Sequence, residues 1–178
     1  MGAMRLSKAV TLFLLSLWIG GAMTFATVVA PTLFNADVLP DRTLAGSVVG
    51  AVLKRLFVVS TDVLALTSIV SLLGWLADRR RPTPMGILLA LSAILTGASI
   101  GEEALRRDMV RINIEQRNQP DDASAAVWHA KFMTRHRLST SIYSGALILA
   151  LVGVAYGASH GAQPVRLRRR PQKAPVES

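Results

Sequence analysis

Apolar residues in this chain form long blocks, and the charged residues lie between the blocks instead of alternating with apolar ones. The first block, Ala9 to Ala30, would extend about 33 Å as a helix, enough to cross a hydrocarbon core of about 30 Å. Leu56 to Ala77 is equally long and holds one ionisable residue, Asp62. Met85 to Gly101 sits at the lower length limit for a crossing, and Leu138 to Ala158 makes a fourth. A basic start at Arg5 and Lys8 with a small-residue stretch at Val28-Val29-Ala30 resembles a secretory signal. The apolar run is longer than the roughly 7–15 residues of a signal core, so it reads as a span.

The segments between the blocks carry their own signals. Pro31 is expected to end the first helix or bend its exit. Asn35, Asp37, Pro40 and Asp41 are turn formers. Leu44, Val48, Val52 and Leu56 then recur at helical spacing, so 35–55 reads as a short amphipathic helix lying at the interface. Asp78 to Pro84, with Arg79-Arg80-Arg81 at its centre, is a tight basic turn that favours an antiparallel return. Glu102 and Glu103 open a charged continuation of the third block, in which Glu102–Arg106 and Glu103–Arg107 are spaced i,i+4 in the favourable order. That helix should run to about Asn118, where Asn118-Gln119-Pro120 stops it, and Asp121 or Asp122 should cap the next. The pattern defines an all-α four-helix transmembrane bundle with interfacial amphipathic helices. It occupies 1–160 as one integral membrane domain and is followed by a basic, proline-containing tail at 161–178 that is expected to be disordered.

Composition agrees with this reading. Of 178 residues, 51% are hydrophobic and 17% charged, against about 25% charged in soluble domains; mean hydropathy is +0.41. The absence of Cys excludes disulfides, iron–sulfur clusters and thiolate metal sites. The net charge of +9 comes from basic residues that mostly flank the apolar blocks, where they meet lipid headgroups, with no basic helix or aromatic platform for nucleic acid. Expected partners are therefore the lipid bilayer and either subunits of a membrane complex or a second copy of the chain. Lys and Arg divide evenly between the two sides of the membrane. The Arg79–Arg81 turn is the tightest cluster beside helix ends, so the positive-inside rule puts both termini in the cytoplasm.

Ionisable groups within a bilayer are costly and thereby become functional candidates. Topology sends Asp62, Glu102 and Glu103, and His136 towards one surface of the bundle. On the last helix, His129, Phe132, His136, Ser139, Thr140 and Tyr143 fall on one polar-aromatic stripe. His129 and His136 lie about 10 Å apart along that helix, too far for one metal ion, and no metal site is expected. Candidate site residues are Asp62, His136, Ser139, Tyr143, Glu102 and Arg135, with Asp62 and His136 expected to face each other inside the bundle. Each also has a bland role. A histidine at a span's mouth can be an interfacial hydrogen bonder. Asp62 can pair with Arg55, Arg135 or Arg137, and Glu102 and Glu103 can form a solvated face. Trp18, Trp75 and Trp128 read as core or interface anchors. Gly20 and Gly21, beside the Ser16–Gly20–Thr24 row, and Gly153-x-x-x-Gly157 read as helix-packing surfaces.

Trp18-x-Gly20-Gly21, then Val29-Ala30-Pro31-x-Leu33-Phe34, then Ala45-Gly46-x-Val48-x-Gly50 resembles the start of domain-of-unknown-function family 4149, the transmembrane protein 205-like proteins. Phe132-x-x-x-His136-x-x-Ser139 is similar to that family's second signature. Where the family often carries Asn one turn after the serine, this chain has Tyr143. The resemblance implies four helices and a bacterial inner membrane, and it implies no reaction. A more distant architectural likeness is to copper-resistance D proteins and the haem-binding HemJ-type protoporphyrinogen oxidase. With no phosphate loop, metal cluster or nucleophile constellation, the first expectation is a non-enzymatic transport or stress-related factor, or an accessory subunit of a membrane complex. No cofactor is expected on that reading. The alternative is a membrane redox enzyme holding haem b through His136.

Overall fold

The computed structural model describes residues 2–77 and 83–160. The Arg79–Arg81 turn and the tail at 161–178 lie outside the described residues. The first helix, Gly2–Thr24, continues through a π turn at Phe25–Val29 into a last α turn at Ala30–Leu33. The second is Arg42–Ala77, the third Thr83–Arg117 and the fourth Asp122–Ser159. All four contain stretches long and apolar enough to cross a membrane, the short third block included.

Pro31 does not end the first helix at once. In a continuous α-helix its ring would collide with the carbonyl of the residue four back. The π turn widens the backbone just before it, with the Ala30 N–H bonding to the Phe25 carbonyl. The expected separate interfacial helix at 35–55 is corrected. From Arg42 onward it is one rod with the second span. No proline or turn former interrupts Val52 to Leu56, so nothing stops helical propagation there. Ala45 and Val49 are buried, so this stretch packs upright against the bundle.

The third and fourth helices follow the sequence signals closely. The Asn118 N–H bonds to the carbonyls of Ile114 and Glu115 as the third helix closes. Asp121 caps the fourth, accepting from the Ser124 N–H at 2.8 Å and the Ser124 hydroxyl at 2.9 Å. These two backbone and side-chain bonds hold the Asp121 carboxyl below its usual range.

Successive helices run antiparallel and pack side by side, and the first also touches the fourth, closing an up-and-down bundle. Leu15, Leu64, Leu88 and Leu95 fill its centre. Thr11, Thr67, Ser71 and Ser92 are buried beside them, and Thr11 and Ser71 are hydrogen-bonded at 3.1 Å. The outer faces are apolar: Phe13, Val59, Ile94 and Ile148 are all more than half exposed, as a bilayer-facing surface requires.

Of the glycines read as packing surfaces, Gly153 and Gly157 do pack. A side chain at Gly153 would meet Leu91 of the third helix, and one at Gly157 would meet Leu12 of the first. Gly20 and Gly21 are corrected. Both face outward, with no atom within 4 Å of where a Cβ would sit. The first helix buries Leu14, Leu15, Trp18 and Ala22 instead. Gly74 was not anticipated, and its missing side chain admits Ser7 and Met85.

Candidate functional site

Glu102 and Glu103 are neighbours in sequence with opposite surroundings. Glu103 accepts two bonds of 2.7 Å from Arg106 and one of 3.0 Å from Arg107. The expected Glu102–Arg106 pair therefore does not form, because Arg106 turns to the outer carboxylate three residues back. Glu102 points inward and is 3% exposed. The Ser139 hydroxyl of the fourth helix donates to its Oε2 at 2.6 Å. Its other oxygen, Oε1, is buried and has no hydrogen-bond partner among the described residues.

The same is true of Nε1 of Trp18, a buried donor without a partner. Both residues line one small cavity with Phe57, Ser99 and Tyr143, and the Trp18 and Tyr143 rings lie 6.4 Å apart in a tilted contact. The cavity leaves about 10 Å³ for the centre of a water-sized molecule. Ser99 on its wall bonds to Thr61 at 2.8 Å, tying the second helix to the third. A buried acceptor and a buried donor left open on one cavity are uncommon, since buried polar groups almost always find partners. The arrangement can hold a water-sized guest between them. No cationic side chain among the described residues pairs with this carboxylate, so the position favours a proton or a small cation.

The structure thus brings together Glu102, Ser139 and Tyr143 from the sequence candidates and separates the rest. His136 is exposed and stacks on Phe132, with ring centroids 6.0 Å apart and planes 5° from parallel. Asp62 is also exposed, on a groove between the second and third helices lined by Glu103 and Arg107. The expectation that Asp62 and His136 meet inside the bundle is corrected. Neither faces the interior: Asp62 lies on an outward face of the second helix, and the polar stripe of the last helix splits. Ser139 and Tyr143 turn in, whereas His129, His136 and Thr140 turn out. Arg135 pairs with Asp108 at 3.0 Å, outside the cavity.

Trp18 is the site residue that sequence reasoning placed only as an anchor. Its spacing from Leu14 and Leu15 marks the buried face of its helix, but nothing in the sequence pairs it with Glu102. No group of three or more His, Asp or Glu side chains converges among the described residues. His136 lines neither the interior cavity nor the groove, and the interior cavity admits only a water-sized group.

Four antiparallel helices with an apolar outer band and a small polar interior define a multi-pass membrane protein of the four-helix type. The family model for a domain of unknown function, DUF4149, matches residues 13–117, and the chain belongs to that family. The matched segment includes Trp18, Asp62 and Glu102 and ends before Ser139 and Tyr143. No curated protein and no solved structure matches the chain.

Proposed function

We propose that this chain is a non-enzymatic bacterial inner-membrane protein, a small-solute or stress-related transport factor or an accessory subunit, in which Glu102 exchanges a positive charge inside the bundle. The observation that carries this reading is the buried Glu102, bonded through one oxygen to Ser139 and open at the other. Intramembrane carboxylates of this kind recur in ion and proton pathways. Both termini face the cytoplasm on this reading, supported by the basic residues at Arg5, Lys8 and Arg79–Arg81. Glu102 then lies towards the periplasmic end.

Reconstitution into liposomes with an entrapped pH indicator tests the charge-exchange role under an imposed membrane potential. The wild-type protein should carry protons faster than protein-free vesicles, and Glu102→Gln should abolish the difference while keeping its helix content. Flux equal to that of empty vesicles would remove the transport reading. A reporter fused after Ser178 should be active only in the cytoplasm.

A further inference from the structure

The groove that carries Asp62 is separate from the Glu102 cavity and faces outward. Its walls are Phe57, Val58 and Asp62 of the second helix and Ile100, Glu103 and Arg107 of the third, enclosing about 490 Å³. Val58 and Ile100 are 55% and 58% exposed, so the groove opens onto the apolar outer band. Its other end meets Glu103 and Arg107, charges at which the third helix leaves that band. The groove therefore straddles the border between hydrocarbon and headgroups.

Its charges are arranged in a particular way. Asp62 makes no ion pair with any described residue. Arg107 uses only its Nε on Glu103, at 3.0 Å, and its side chain is 75% exposed. Its Nη groups donate to no protein acceptor among the described residues. One unpaired carboxylate and one guanidinium edge thus face the same apolar-walled groove without meeting each other. An unpaired carboxylate at this depth is costly unless a cation joins it. A guanidinium edge suits phosphate.

We propose that this groove binds a zwitterionic aminophospholipid, with the primary ammonium on Asp62, the phosphate on Arg107 and the acyl chains along Val58 and Ile100. A primary ammonium can donate hydrogen bonds to Asp62, whereas a trimethylammonium cannot. The apolar walls continue into the lipid-facing surface, so the occupant is a lipid rather than a free zwitterion.

The test is competition. The purified full-length protein is equilibrated with equal amounts of phosphatidylethanolamine, phosphatidylcholine and phosphatidylglycerol of matched chains, and retained lipid is counted by native mass spectrometry. The wild-type protein should retain phosphatidylethanolamine over phosphatidylcholine by about two- to fivefold, the range of one partly exposed ion pair. Asp62→Asn should erase that preference, and Asp62→Glu should keep most of it. Arg107→Gln should lower retention of all three lipids. Equal retention of the first two lipids by the wild-type protein would overturn the proposal without any variant. So would a preference for phosphatidylglycerol, or an ethanolamine preference that survives Asp62→Asn.

Discussion

Thr11 with Ser71 at one end of the bundle, and Glu102 with Ser139 at the other, are both polar pairs buried between helices, yet they complete their hydrogen bonding differently. At the end that holds the termini, two hydroxyls satisfy each other at 3.1 Å. Close by, Gly74 and Gly157 let neighbouring helices approach. Polarity there is adhesive: small residues bring backbones together and hydroxyls bond across the gap. At the opposite end, the Ser139 bond uses one carboxylate oxygen and leaves the other open beside an open indole N–H. A polar residue inside a membrane bundle is thus not enough to mark a site. The mark is an unfinished hydrogen-bond inventory next to free space.

The sharpest way to break this contrast is to crowd the tight end. Gly157→Leu would drive a side chain into Leu12 and should destabilise the bundle by about 3 kcal/mol or prevent folding, as overpacking does. Thermal unfolding in detergent, followed by circular dichroism, reads this. Gly20→Leu should melt with the wild-type protein, since Gly20 faces open space. If Gly157→Leu is as stable as wild type, the terminal end is not close-packed.

The open end responds next. Ser139→Ala leaves the Glu102 carboxylate without a hydrogen-bond partner among the described residues and should lower stability by about 2 kcal/mol, the cost of stranding a buried polar group. Ser139→Thr, which keeps the donor, should recover most of the loss. Equal stability of Ser139→Ala and wild type would mean that the carboxylate does not depend on this bond.

A smaller effect belongs to the hydroxyl pair. Thr11→Val should lower stability by about 0.6 kcal/mol, typical of hydrogen bonds between membrane helices. Adding Ser71→Ala should cost little more, because removing both partners strands neither. A double variant as damaged as the sum of two large single losses would show that these hydroxyls have other partners.

The smallest effect lies beyond both ends. Bonds from Ser124 hold the Asp121 carboxyl below its usual range. Its contribution is therefore fully present above the unfolded aspartate value, about pH 3.9, and is lost as pH falls through the lower folded value. Hydrogen exchange at Ser124 and Ala125, corrected for intrinsic rates, should quicken in acid relative to neutral pH. Asp121→Ala should remove that pH dependence. Exchange unaffected by acid in the wild-type protein would mean that the cap does not hold the helix start.

The four spans were legible in the sequence because a bilayer demands uninterrupted apolar length, and length survives in a linear pattern. The end of the third helix near Asn118 and the cap at Asp121 were legible for similar local reasons. Which face of each span points inward was not. In water, burial and polarity separate the two faces of a helix; in a bilayer the outer face is as apolar as the core. Gly20 and Gly21 therefore looked like packing residues although they face out. Helical spacing also could not decide between Glu102 and Glu103, which differ by about 100° on the helix. Only Ser139 arriving from the fourth helix gives that rotation a meaning. Asp62 lies at the level of Glu103, as its depth predicts, but on an outward face, a rotation that the sequence pattern did not fix.

The third helix has no break between Glu102 and Arg117, and the fourth has none between Asp122 and Ser139. These two rods stand about 22 Å beyond the carboxylate, given about 1.5 Å per residue. The Asp108–Arg135 ion pair joins the two rods between their tips and the Glu102–Ser139 contact. Over that length, a tilt of about 10° moves the tip by about 4 Å. Tip and cavity are thus joined by continuous helix, with no loop between them.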